Sequence, residues 1–140
     1  MRNLITYIRQ NLLQPRILKF AVVGLSGVAV NMGLLYVFTR YLGLYYLLSS
    51  IIAIEVSILT NFVLNDIWTW RDRQKKSYGK RMLQYHISVG VTAVLANWLL
   101  LIFFTEVAGL HYMIANLIGI SVGMLFNYTL NDLWTFRGQN

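Results

Sequence analysis

The sequence predicts an all-α membrane protein: four transmembrane helices arranged as two parallel-repeated helical hairpins, preceded by a short N-terminal amphipathic helix. Three observations predict this: four apolar stretches of membrane-spanning length, a one-sided distribution of Lys and Arg, and an internal repeat that carries Asn61 onto Asn127. Of the 140 residues, 57% are hydrophobic and 12% are charged, about half the usual charged share of a soluble domain. A chain this short cannot hide so much apolar surface in its own core. Lipid is therefore the expected solvent, and one domain is all that the length allows.

The amphipathic helix comes first. Leu4, Ile5, Ile8 and Leu12 recur at helical spacing, with Arg2, Thr6, Arg9 and Gln10 on other faces, until Pro15 interrupts. The spacing predicts an interfacial helix over 2–13. No compact apolar run followed by a small-residue cleavage site precedes it, so a cleavable signal peptide is not expected.

Four apolar stretches follow, at about 17–39, 44–65, 83–106 and 111–131. Each is long enough, at about 1.5 Å per residue, to cross a hydrocarbon core of about 30 Å. Backbone groups left unpaired in lipid are too costly, so each stretch is expected to be a helix.

Eleven of the twelve Lys and Arg lie before or at the very start of the first stretch (Lys19), between the second and third, or after the fourth; Arg40 is the exception. Positive charge stays on the cytoplasmic side. Both termini and the loop from Arg71 to Arg81 are therefore expected there, with tight hairpin tips near Gly43 and Gly109 facing outward. The net charge of +7 then reads as topology and as attraction to membrane phospholipid. No nucleic-acid partner is expected, because the basic residues flank apolar runs.

Asn61 to Arg71 (Asn-Phe-Val-Leu-Asn-Asp-Ile-Trp-Thr-Trp-Arg) returns at Asn127 to Arg137 as Asn-Tyr-Thr-Leu-Asn-Asp-Leu-Trp-Thr-Phe-Arg. Without a gap, 16–74 and 82–140 agree at 22 of 59 positions, and the matches include Asn, Asp, Trp and Gly rather than only Leu and Val. Each copy holds two spans, so the copies run parallel, and residues 1–15 stand outside them as the interfacial segment.

Polar residues in the spans are the candidate binding groups. Asn31 and Asn97 fall near mid-depth, and Asn61, Asn65, Asn127 and Asn131 form stripes on spans 2 and 4. They serve either as hydrogen-bonded packing between helices or as a polar route and head-group site. Glu55 is the single carboxylate near mid-span and has Ser121 as its repeat partner. It is either a proton-coupling carboxylate or a buried neutral acid, and its spacing from Asp66 puts both on one face, opposite the Ser/Asn stripe. The duplicated motif sets Asp66 and Asp132, Trp68 and Trp134, and Arg71 and Arg137 at head-group depth, with Lys19 and Arg16 nearby. Arginine's forked donors suit phosphate, although a plain helix end with an aromatic anchor also accounts for Trp and Arg. His86 and His111 fall on opposite sides of the membrane, so no metal site is expected. Without cysteine, a nucleophile elbow or a phosphate loop, no catalytic residues and no cofactor are expected.

The opening Leu18-Lys19-Phe20-Ala21-Val22-Val23-Gly24-Leu25-Ser26-Gly27, with Asn31 after it, and the two inner motifs resemble the GtrA family of small four-span membrane proteins. That family is also found fused behind dolichol-phosphate-mannose-synthase-like glycosyltransferase domains. The resemblance runs from about residue 16 to the end. It implies a non-enzymatic membrane protein that translocates a polyprenyl-phosphate-linked sugar for cell-envelope polysaccharide synthesis, in the bacterial inner membrane. Substrate contacts are then expected at Lys19, Arg71 and Arg137, with the Asn residues along the route. Two other readings stand beside it. One is an anchor or accessory subunit for a polyprenyl-phosphate glycosyltransferase; the other is a small proton-coupled exporter acting through Glu55. A homo-oligomer, or else a groove open to lipid, is a further expectation, and Gly119-x-x-x-Gly123 serves either as the contact between copies or as a packing contact within the chain.

Overall fold

The computed structural model describes residues 5–6, 10, 14–73 and 76–138. It is all-helical, with no strand among the described residues. Four helices are long and apolar enough to cross a membrane: α1 (Pro15–Arg40), α2 (Tyr46–Thr69), α3 (Tyr78–Val107) and α4 (Tyr112–Thr135). Most of the expected amphipathic segment lies outside the described residues. Pro15 opens α1 after an extended Gln14; its fixed φ suits the first helical position, where no amide is needed.

The chain divides into two compact units, Met1–Asp72 and Arg73–Asn140, hereafter hairpins 1 and 2. Their tips are built alike. Gly43 and Gly109 take left-handed φ values of 66° and 69°, which side chains disfavour. Just beyond them the Leu44 amide donates to the Phe38 carbonyl at 3.0 Å, and the Leu110 amide to the Phe104 carbonyl at 2.9 Å. Elsewhere Leu18, Leu25 and Ile51 in hairpin 1, and Leu95, Leu117 and Ile120 in hairpin 2, stand exposed. Hydrocarbon, not water, solvates such a surface favourably.

The second helix of each hairpin turns one row, at i, i+4 spacing, into the packed interior. On α2 it runs Ser49, Ala53, Ser57, Asn61, Asn65, Thr69, and α4 carries the equivalent row of the second repeat: Ala115, Gly119, Gly123, Asn127, Asn131, Thr135. Each step of four slightly overshoots a full helical turn, so the row slants around the helix, as ridges do when they pack into grooves. That slant corrects the expectation that Glu55 and Asp66 both lie opposite the Ser/Asn stripe: Glu55 is exposed, while the row has swept round to Asp66 and buried it beside Asn65.

Small residues set the approach of the helices. In hairpin 1 a Cβ on Gly27 would collide with the Asn61 carboxamide, and the Ser57 hydroxyl donates to the Gly27 carbonyl at 2.8 Å. In hairpin 2 the carboxamide comes from the other helix: Asn97 on α3 lies where a Cβ on Gly123 would be, and a Cβ on Gly119 would sit 3.2 Å from the Asn97 carbonyl. The Gly119-x-x-x-Gly123 pair thus packs within its own hairpin.

A π turn explains the exchange. Ala93–Trp98 on α3 is wound with i→i+5 bonds and has no counterpart in α1, whereas the π turn Phe103–Val107 by the tip is matched in hairpin 1, where the Leu42 amide donates to the Val37 carbonyl as the Ala108 amide does to the Phe103 carbonyl. Such a turn absorbs one extra residue and rotates everything beyond it. Counted back from the tips, Tyr85 lies one position further from Gly109 than Phe20 lies from Gly43. Yet the two rings do the same job: Phe20 meets Trp70 edge-on at 5.8 Å and Tyr85 meets Phe136 edge-on at 6.2 Å.

Candidate functional site

The duplicated motif closes the open end of each hairpin, opposite its tip. Asn65–Thr69 and Asn131–Thr135 are π turns. The Trp70 amide donates to the Asn65 carbonyl at 2.9 Å, and the Phe136 amide to the Asn131 carbonyl at 2.8 Å. Wider winding gathers the first, second, fifth and sixth residues onto one face. Accordingly Asn65, Asp66, Thr69 and Trp70 are buried, as are Asn131, Asp132, Thr135 and Phe136, while Trp68 and Trp134 keep 39% of their surface exposed.

The buried polar groups hold one another. In hairpin 1 the Thr69 hydroxyl donates to Asn65 Oδ1 at 2.8 Å. In hairpin 2 Asn131 Nδ2 donates to Asn127 Oδ1 at 2.8 Å and to the Asn127 carbonyl at 2.9 Å. Asn61 and Asn97 sit against glycines with Oδ1 atoms that are buried and have no hydrogen-bond partner among the described residues. Asn31, the repeat partner of Asn97, is half-buried on α1.

The two open ends then diverge. At hairpin 1 a cavity of about 340 Å³ is lined by Arg16, Lys19, Thr69, Arg71 and Asp72. Arg16 pairs with Asp72 at 2.6 Å, and the Lys19 ammonium lies 5.7 Å from the centre of the Trp68 ring, a cation–π distance. Among the described residues that line it, three are cations and one is a carboxylate, a surplus of positive charge. The repeat equivalents of Arg16 and Lys19 are Met82 and Tyr85; Arg137, the partner of Arg71, is exposed.

At hairpin 2 the basic loop residues turn onto the end of α4 instead. Arg73 donates to Asp132 Oδ1 at 2.7 Å, to the Asp132 carbonyl at 2.6 Å and to the Phe136 carbonyl at 3.2 Å. Lys76 donates to the Trp134 carbonyl and, at 3.2 Å, to Gln84 Oε1, while Arg81 donates to the Lys76 carbonyl. Cations at a helix C-terminus satisfy carbonyls without intrahelical partners and oppose the negative end of the dipole. Burial, and then the charges of Lys80 and Arg137, lower the Lys76 pKa from its ordinary 10.5.

The sequence-predicted groups therefore separate. Lys19 and Arg71 come together in one cavity with Arg16. Asn65, Asp66, Asn131 and Asp132 lie beneath the helix ends, and Asn61 and Asn97 lie at helix contacts. Arg73 is the residue that sequence reasoning passed over. It read as one more topology charge, and no spacing rule ties it to Asp132, which lies two spans further along the chain.

The sequence profile of the family described as GtrA/DPMS, transmembrane domain, matches residues 19–89 and again 86–140. The chain is also similar to a dolichol-phosphate mannosyltransferase of Pyrococcus furiosus, 42% identical over 119 residues. Those residues are 83% of this chain but 32% of that protein, so the chain spans about a third of its relative's length. With two family matches that together cover both hairpins, this multi-pass membrane protein belongs to the GtrA/DPMS transmembrane-domain family.

Proposed function

We propose that the chain translocates a polyprenyl-phosphate-linked sugar across the membrane without hydrolysing it. The observation that carries this reading is the cavity at the open end of hairpin 1, whose described lining holds Arg16, Lys19 and Arg71 against one carboxylate, Asp72. A lipid phosphate entering it gains charge-assisted hydrogen bonds, and the polyprenyl chain stays against the apolar outer faces of the helices. The distribution of Lys and Arg supports a cytoplasmic position for this end. The name of the Pyrococcus relative supports a polyprenyl-phosphate sugar as cargo and a glycosyltransferase as the partner that makes it.

In this reading Lys19 and Arg71 are the direct phosphate contacts, with Arg137 at the other open end. Trp68 holds the Lys19 ammonium in place and Trp134 anchors at the interface. Asn65, Asp66, Asn131 and Asp132 position the helix ends that carry those groups. Asn61 and Asn97 act through helix packing, and Asn31 and Asn127 offer polar atoms at depth. Glu55, exposed on α2, is the group that would couple movement to protons.

Proteoliposomes loaded with labelled lipid-linked sugar test the reading. Each charged hydrogen bond lost is worth about tenfold or more, so the Lys19→Ala, Arg71→Ala double variant should translocate about a hundredfold more slowly. Wild-type rates in that variant would remove the phosphate role. Glu55→Gln should abolish any dependence on a proton gradient and leave downhill movement intact.

A further inference from the structure

The duplication built a pair of cavities, one in each hairpin beside its tip. In hairpin 1 a cavity of about 600 Å³ is lined by Leu35, Tyr36, Thr39, Arg40 and Tyr46, among others. In hairpin 2 the repeat-equivalent positions line one of about 430 Å³: Leu101, Ile102, Thr105, Glu106 and Tyr112, now joined by Asn116. Leu35, Thr39 and Tyr46 return unchanged as Leu101, Thr105 and Tyr112, while Tyr36 has become Ile102. Arginine has become a carboxylate, and the position of Asn116 was Ser50, which does not line the first cavity.

We infer that the hairpin 2 cavity is a binding site for sugar hydroxyls. A carbohydrate needs acceptors for several O–H donors, groups that both donate and accept, and a flat apolar face for its C–H side. Glu106 supplies the acceptors, Asn116 and Thr105 the mixed groups, and Tyr112 the ring. That ring is backed by His111, stacked 4.5 Å away at 28°, and His111 is fixed by accepting from the Met113 amide at 3.2 Å. The Thr105 hydroxyl oxygen is buried and has no hydrogen-bond partner among the described residues; a buried group left so pays its full desolvation cost until something bonds to it. Glu106 is exposed and holds no ion pair among the described residues. The carboxylate repels phosphate, so this cavity selects the uncharged part of a glycolipid head group. Its volume lies within the range of about 300–1,000 Å³ for small-molecule sites.

That the sugar arrives on a lipid carrier rests on the translocation reading above; binding of a free sugar does not. The full chain in phosphatidylcholine nanodiscs, probed by saturation-transfer NMR with methyl α-mannoside and methyl α-glucoside, tests the site directly. Saturable transfer is expected for at least one glycoside. Affinity should fall about tenfold in Glu106→Ala and again in Asn116→Ala, and stay unchanged in Arg40→Ala. Equal transfer to the wild type and to the Glu106→Ala, Asn116→Ala double variant, both eluting as folded protein, would overturn the proposal. So would equal displacement by phosphoethanolamine, which would mark a cation site. Glycoside binding without translocation sinks the translocation reading alone, and translocation without glycoside binding sinks this one alone.

Discussion

Asp132→Ala should destabilise hairpin 2 by about 3 kcal/mol, the low end for breaking a buried ion pair, while Asp72→Ala in hairpin 1 should cost less than about 1 kcal/mol. Both carboxylates meet an arginine, at 2.7 and 2.6 Å, so distance does not separate them. Exposure does. The Asp132 side chain keeps 4% of its surface and Arg73 keeps 22%, whereas Asp72 keeps 60%. Removing Asp132 strands a guanidinium that also donates to two carbonyls at the end of α4, and partial exposure of Arg73 lets water relieve some of the loss. Asp132→Asn keeps an acceptor without the charge and should fall between. Thermal unfolding in detergent, followed by the loss of the folded peak on size exclusion, gives the comparison. Equal shifts for Asp132→Ala and Asp72→Ala would show that the buried network contributes nothing special.

Much of this architecture was legible because lipid imposes simple rules. Span length, the glycines at the tips and the repeat of one hairpin by the other each follow from one-dimensional spacing. Other features were not legible, for stated reasons. The π turn at Ala93–Trp98 leaves no composition signal, yet it rotates the open end of α3 by one residue against the gapless alignment. Lys19 therefore aligns with Tyr85, although Phe20 is the residue that does what Tyr85 does. Gly24 and Gly90, which align perfectly, have open space where a Cβ would stand, with no other element of the described residues within 4 Å of it. The motif pair suggested two equivalent charged ends. The differences that decide the chemistry lie outside the motif: Arg16 and Lys19 against Met82 and Tyr85, and Arg73 turned onto Asp132. Identity between repeats recorded the shared frame, and the binding chemistry sits where the repeats differ.

The glycine contacts give the second large effect, and a rescue that packing alone predicts. Gly27→Ala should cost hairpin 1 about 1–3 kcal/mol through overpacking, because the three atoms nearest its Cβ would be Nδ2, Oδ1 and Cγ of Asn61. Trimming that side chain should restore most of the loss: Asn61→Ala removes the clashing carboxamide and also an unpartnered buried oxygen. The double-mutant coupling should be about 1–2 kcal/mol in favour of the pair. Hairpin 2 contains the control. A Cβ on Gly123 meets the Asn97 side chain, whereas one on Gly119 meets Asn97 backbone, its carbonyl at 3.2 Å and its Cα at 3.6 Å. Asn97→Ala should therefore rescue Gly123→Ala and leave Gly119→Ala as damaging as before, since no side-chain truncation moves a backbone carbonyl. If Asn97→Ala rescued both glycines equally, or neither, the carboxamides would not be what sets the helix separation. The stripe of asparagines would then have to be explained by what passes along it.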